Sequence, residues 1–291
     1  MLLAIKAKIL LAVAAPLAFS AFAWSPAPEA PAKISAPALI ELQPRTFQHR
    51  NAGDFSQDGK PVNAPLREIR PERPLSIMAH QVTAADYQRC ADDNACPRAG
   101  DPVVRPDLPV VNVSARDAEA YAVWLSAKLG VTYRLPTDEE WAFAAGSRFR
   151  DDSIRIENTS DPAQRWLARY EQEAEREEAI EKTPRPLGSF GVNENGLSDI
   201  AGNVWEWTSS CFLRQALDPD EVAFGMPVVN CGVRVVEGRH RTYVTDFIRN
   251  ARAGGCAVGT PPANLGFRLV RDQRGWEWLR TARSLLRRGS A

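Results

Sequence analysis

A chain of 291 residues with 36 basic and 36 acidic side chains has a formal charge of zero, which excludes a nucleic-acid binder that relies on a strongly basic surface. Apolar residues at 44% and charged residues at 25% fit a soluble globular protein with a sizeable core. Three histidines leave little room for a multi-histidine metal centre, and 22 prolines predict a loop-rich body.

Met1–Ala23 has the layout of a secretory signal peptide: Lys6 and Lys8 as a charged start, an apolar run from Ile9 to Phe19, and Ala21-Phe22-Ala23 as a small-x-small cleavage site. A membrane anchor is the alternative, but the run is short and Pro16 breaks it. Cleavage removes two lysines and no acid, leaving a charge of −2. Export predicts a periplasmic or secreted protein in an oxidising compartment. Residues 24–44, rich in Pro and Ala and without periodicity, read as a tether. A single domain is expected over residues 45–271.

Three helix starts follow. Thr83-Ala-Ala-Asp86, Ser114-Ala-Arg-Asp117 and Thr137-Asp-Glu-Glu140 each place a hydroxyl at an N-cap and a carboxylate three residues on. The hydroxyl accepts from a free amide of the first turn, and the carboxylate accepts from the cap amide. These acids read as caps rather than catalysts. Ala118, Tyr121, Ala122, Leu125 and Leu129 predict the buried face of the second helix, which Gly130 ends. Residues 161–182 predict a fourth helix that docks through Trp166, Leu167, Tyr170 and Ala174 and stops before Pro184 and Pro186. Short β segments are expected at 204–212, 233–236 and 267–270. The sum is an irregular, loop-rich α+β fold.

Residues 272–291 form a basic amphipathic tail. Trp278, Leu279, Ala282, Leu285 and Leu286 make an apolar stripe among Arg280, Arg283, Arg287 and Arg288. It predicts peripheral contact with an anionic membrane or an acidic partner, or a helix packed on its own domain. The five cysteines are odd in number. Cys90–Cys96 is the first candidate disulfide and Cys211–Cys231 the second, leaving Cys256 alone; buried free thiols are the alternative.

Three ordered segments carry a family resemblance. They are Pro109-Val-Val-Asn-Val-Ser-Ala-Arg-Asp-Ala-Glu-Ala-Tyr121 with Tyr133-Arg-Leu-Pro-Thr-Asp-Glu-Glu-Trp-Ala-Phe-Ala-Ala145; Asn195-Gly-Leu-Ser-Asp-Ile-Ala-Gly-Asn-Val-Trp-Glu-Trp207; and Asn264-Leu-Gly-Phe-Arg268. Together they resemble the formylglycine-generating-enzyme, or sulfatase-modifying-factor, family over roughly residues 45–271. The resemblance implies a compact domain related to the C-type lectin fold. It also implies a structural calcium site on Asn203 and Glu206, with the backbone carbonyls of Gly202 and Val204 nearby. An Asn turn followed by a Glu–Arg pair is the alternative. Arg134 and Glu140 are expected to pair beside Trp141.

The family's oxidase chemistry uses two cysteines a few residues apart, upstream of Asn-Leu-Gly-Phe-Arg, suited to Cu(I). Here residues 237–252 hold no cysteine. Copper or iron is therefore not expected. The same segment carries Arg239, Arg241, Tyr243, Arg249 and Arg252 as candidates for binding a carboxylate, a phosphate or a partner's acidic patch; a surface ion-pair network is the alternative. His240, Asp246 and Cys256 are the candidate catalytic residues if the chain is an enzyme. The leading expectation is an exported accessory protein without oxidase activity that binds a periplasmic protein or a small ligand. Around Arg239–Cys256 it is similar to accessories of periplasmic copper nitrite reductase. The competing expectation is a metal- or O₂-dependent oxidoreductase.

Overall fold

The computed structural model describes residues 34–100, 105–154, 161–178, 183–218, 226–254, 257–258 and 264–272. Six short strands come first: β1 (Leu39–Leu42), β2 (Phe47–Arg50), β3 (Asp54–Gln57), β4 (Lys60–Val62), β5 (Leu66–Ile69) and β6 (Leu75–Met78). Helices α1 (Ala84–Asp92) and α2 (Ala115–Leu129), strand β7 (Tyr133–Arg134) and helices α3 (Asp138–Ala145) and α4 (Pro162–Glu178) follow. Then come β8 (Trp205–Ala216), β9 (Val228–Glu237), β10 (Thr242–Thr245), α5 (Ala251–Gly254), β11 (Ala257–Val258), β12 (Leu265–Gly266) and β13 (Val270–Arg271). The expected α+β, loop-rich class is what the chain adopts.

Strand β8 organises the larger sheet, whose order is β11-β10-β9-β8-β3-β4. β12 runs parallel to the start of β8 and β3 parallel to its far end, so early and late parts of the chain meet on one strand. A second sheet has the order β1-β6-β13-β7, and β2 pairs with β5 alone. Between the second sheet and α3 lies a core of Leu42, Leu75, Ile77, Trp141, Phe143, Leu197, Ile200 and Val270.

The three expected caps form. Ser114 and Thr137 each make a complete capping box with Asp117 and Glu140, and Thr83 Oγ1 accepts from the Asp86 amide. Gly130 ends α2 at φ 69°, although Leu129 is only half-buried. Glu140 also pairs with Arg134 through two bonds of 2.6 and 2.7 Å.

Three expectations need correction. Leu39–Leu42, inside the stretch read as a tether over 24–44, is β1; Leu42 faces Leu75 across the pair and is buried. A four-residue strand in Pro- and Ala-rich sequence has no periodicity to betray it, and the folded domain begins before residue 45. The segment 267–270 is not one strand: β12 and β13 flank a turn of the chain where Phe267 and Leu269 lend their carbonyls to Val82 and Met78. Helix α4 is reversed. Trp166, Leu167 and Tyr170 are all at least half exposed, and Ala174 is exposed, while Arg165, Ala168 and Gln172 turn inward. Gln172 donates to the Ser153 carbonyl at 3.1 Å, so the helix docks through its polar side.

Both candidate disulfides are formed, Cys90–Cys96 and Cys211–Cys231. The second clamps the β8–β9 hairpin where its register shifts around Cys211. Residues 1–33 and 273–291, with the signal segment and nearly all of the basic tail, lie outside the described residues, as does Cys256. Among the described residues no helix is long and apolar enough to cross a membrane.

Candidate functional site

Glu206 sits between two indoles at the start of β8 and is wholly buried. Its carboxylate is saturated: Arg268 donates from Nε at 2.6 Å and from a terminal nitrogen at 2.9 Å, Trp141 Nε1 at 2.8 Å and Gln81 Nε2 at 2.8 Å. Arg268 spends its other bonds on the carbonyls of Met78, Ala79 and Ser198. One buried pair thus ties the β6 end, the turn before residue 200 and β8 together where regular structure is sparse.

Asn203 takes φ 63° and turns its amide away, bonding the backbone N–H and carbonyl of Arg185, each at 2.9 Å. Its side chain therefore does not join Glu206 in one ligand set. Gln81 does face that carboxylate: besides Glu206 Oε1, its Nε2 meets the Gly202 carbonyl at 3.2 Å and the Asp199 carbonyl at 3.5 Å. Gln81 Oε1 is buried with no hydrogen-bond partner. Val204 donates its amide to the Gly202 carbonyl at 2.7 Å. Among the described residues no three His, Cys, Asp or Glu side chains gather as a metal site. A cation here would rest on carbonyl oxygens, Glu206 and a Gln81 amide turned over to offer its oxygen.

The segment after β9 folds inward instead of spreading arginines on the surface. Gly238 lies flat against Trp205, where a Cβ would come within 2.7 Å of the indole, so the chain passes close under β8. Arg241 is fully buried. It donates to Glu237 at 2.8 Å, to both Asp138 oxygens at 2.9 and 3.0 Å, to Asp152 at 3.3 Å and to the Arg50 carbonyl at 2.9 Å. His49 Nε2 stands 3.2 Å from Arg241 and 3.1 Å from Asp138. The expected role of Arg241 as an open ligand-binding group is thus corrected: its donors are used inside the protein, because only a buried guanidinium can offset so many enclosed carboxylates. Tyr243 is likewise buried, accepting from the Gly53 amide at 2.7 Å and donating to Asp152.

The cluster's protons are unevenly placed. Burial opposes ionisation of Asp138, but Arg241, His49 and Glu237 outweigh it and hold the carboxyl well below the usual aspartate range. Burial drives Glu237 the other way; Arg241 opposes this, and the Asp138 charge adds to it, leaving its pKa well above the ordinary value. Glu237 Oε2 has no donor around it. The two carboxyls are thus driven in opposite directions by the same enclosed cluster.

This cluster forms a wall between two cavities. On one side His49 and Asp138 border a groove of about 840 Å³. On the other, Arg241, Tyr243, Asp152 and His240 floor a cleft of about 350 Å³, walled by Arg50, Asp54, Arg214 and the inward face of α4. The remaining expected residues scatter. Arg239 and Arg252 are exposed. Arg249 binds Asp117 at 2.7 Å. Asp246 is engaged by Arg116 at 2.9 Å. His240 is buried edge-on to Trp205. Sequence reading missed Asp138, Asp152 and Glu237, because their partner lies across the chain.

Residues 25–273 match the sulfatase-modifying factor enzyme 1-like domain. The chain belongs to that family. Similar relatives include "Inactive C-alpha-formylglycine-generating enzyme 2" of Bos taurus, 32% identical over 56% of this chain and 50% of that one. "Formylglycine-generating enzyme" of Streptomyces coelicolor is 30% identical over 58% and 54%. "Hercynine oxygenase" of Mycolicibacterium smegmatis is 36% identical over 36% of this chain and 22% of its own. The chain spans about half the length of the first curated relatives it matches. PvdO of Pseudomonas aeruginosa shares the fold, with a TM-score of 0.50 and 22% identity over 81% of this chain and 94% of that one. Family membership thus spans active and inactive proteins by name, and the site has to decide between them.

Proposed function

We propose that this family member is an exported accessory or maturation protein without cysteine-to-formylglycine oxidase activity. It binds a small ligand or a periplasmic partner through the cleft floored by Arg241, Asp152 and Tyr243. One observation carries the reading: of five cysteines, four are tied in two disulfides, so a single thiol, Cys256, is left. Two thiolates are what a Cu(I) site of the family type needs, and one chain cannot supply them. The floor of the cleft is a neutralised ion cluster that can position a polar ligand but offers no described thiol. The test is to load the purified mature protein with Cu(I), wash it with a competing chelator and measure retained metal. Less than a tenth of an equivalent is expected; one copper per chain, lost in Cys256→Ser, would overturn the reading.

A second reading rests on the match to hercynine oxygenase. It makes the chain a metal- or O₂-dependent oxidoreductase with His240, Asp246 and Cys256 as its candidates. The engagement of Asp246 with Arg116 argues against that trio.

Calcium is a separate part of the proposal. The point faced by Glu206, Gly202 and Asp199 would take the ion when Gln81 presents its oxygen, a donor set of the hard kind that calcium prefers. The ion would brace the turn before β8 rather than take part in chemistry. Its one carboxylate is already compensated by Arg268, so affinity belongs at the weak end, Kd on the order of 10⁻⁴–10⁻³ M. Millimolar calcium is expected to raise the melting temperature in wild type and not in Gln81→Leu. No shift in wild type across that range would remove calcium from the account. The basic tail at residues 272–291 keeps its proposed role as a peripheral membrane or partner contact.

A further inference from the structure

Helix α4 places two arginines, Arg165 and Arg169, one turn apart on the wall of the 350 Å³ cleft. Like charges at that spacing repel and destabilise a helix. Neither guanidinium has an ion pair among the described residues. Arg165, half-buried, reaches only Asn63 Oδ1 at 3.4 Å, and that oxygen already accepts from the Ile154 amide at 3.0 Å. Burial lowers its pKa, and the Arg169 charge lowers it further. Several surface arginines of the domain do find an acid, as in Arg89–Asp86, Arg105–Asp107 and Arg116–Asp246.

Three acids line the cleft. Asp152 serves Arg241 and Tyr243, Asp54 lies 3.7 Å from Arg214, and Glu173 stands on α4 itself, one turn beyond Arg169. The helix has also turned Arg165 inward, with Arg169 exposed beside it on the cleft wall, while leaving Trp166 and Tyr170, stacked at 5.7 Å, in solvent. Burying apolar rings would have been the favourable choice for packing alone. Two neighbouring guanidiniums on a cleft wall, one of them half-buried and neither with an ion pair, make physical sense when an anion completes them.

We infer that Arg165 and Arg169 form an oxyanion subsite of the cleft that takes the carboxylate or phosphate group of a small ligand. The inference rests on the cleft being the binding site proposed above. Guanidinium forks match the flat geometry of both groups, and two forks one turn apart can hold separate oxygens of one group. A cleft of about 350 Å³ has room for a small metabolite.

Calorimetry on the mature protein, with inorganic phosphate and citrate as probes and ionic strength held constant with chloride, tests this. Binding of at least one probe is expected at millimolar concentration or below. Arg165→Gln and Arg169→Gln should each weaken it tenfold or more with unchanged far-ultraviolet circular dichroism, whereas Arg105→Gln leaves it unchanged. Binding of phosphate alone assigns a phosphorylated ligand; binding of citrate assigns a carboxylate. In the absence of anion, Arg165→Gln should melt no lower than wild type, since it relieves repulsion. If neither probe binds, or both variants bind as wild type does, the subsite is wrong. That result would leave the copper measurement standing, so the two readings fail separately.

Discussion

Arg268→Met is expected to destabilise the fold by about 3–5 kcal/mol, the range for breaking a buried ion pair from one side. Both partners of the Arg268–Glu206 pair have fully buried side chains. Without Arg268, Glu206 keeps only Trp141 and Gln81 as donors and is left buried without its cation. Three carbonyls, of Met78, Ala79 and Ser198, lose their donor as well. The double variant Glu206→Gln with Arg268→Met should recover a substantial part of the loss, because it removes the stranded charge. Urea denaturation of the two variants measures both effects. A loss below about 1 kcal/mol for Arg268→Met would mean that water reaches Glu206 and that the pair is not a true cross-link.

Arg241→Met is the second large effect, again about 3–5 kcal/mol, because it strands Asp138 and Asp152. Here the pH dependence adds a sharper test. The Asp138 pKa is depressed, so the stability it contributes is present above the usual aspartate value of about 3.9 and is lost as pH falls through the folded value. The Glu237 pKa is raised, so its contribution is fully present below the usual glutamate value of about 4.3 and is lost as pH rises through the folded value. Glu237→Gln keeps an acceptor for Arg241 Nε and a donor for Asp138 without a titrating proton. Its stability relative to wild type should therefore improve steadily as pH rises from about 4. A difference between the two proteins that does not change with pH would show that the Glu237 pKa is not raised.

Local signals made much of the scaffold legible. The caps at Thr83, Ser114 and Thr137 can be read because a cap is chemistry between residues three apart. The two disulfides could be guessed from spacing, and the Arg134–Glu140 pair from its place beside a cap. What escaped was non-local. β1 to β6 are three or four residues long, too short for alternation to register, although Asp58-Gly59, both at positive φ between β3 and β4, is a hairpin signal that sequence reading could have used. The inward turn of Arg241 depended on acids from α3 and the 151–154 loop, which only the fold brings together. α4 misled because an apolar stripe is normally the docking face, and here the polar side docks. The bonds of the Asn203 amide to the Arg185 backbone were hidden for a related reason, because the two residues lie 18 apart in the chain.

The central claim is that this family member binds in its cleft and does not oxidise cysteine. Incubating the Cu(I)-treated protein with a cysteine-containing sulfatase-type peptide under O₂, and following the peptide by mass spectrometry, tests it most directly. The account predicts that the peptide cysteine stays unchanged over many hours. Formylglycine formation above the rate with free copper, abolished by Cys256→Ser, would contradict it.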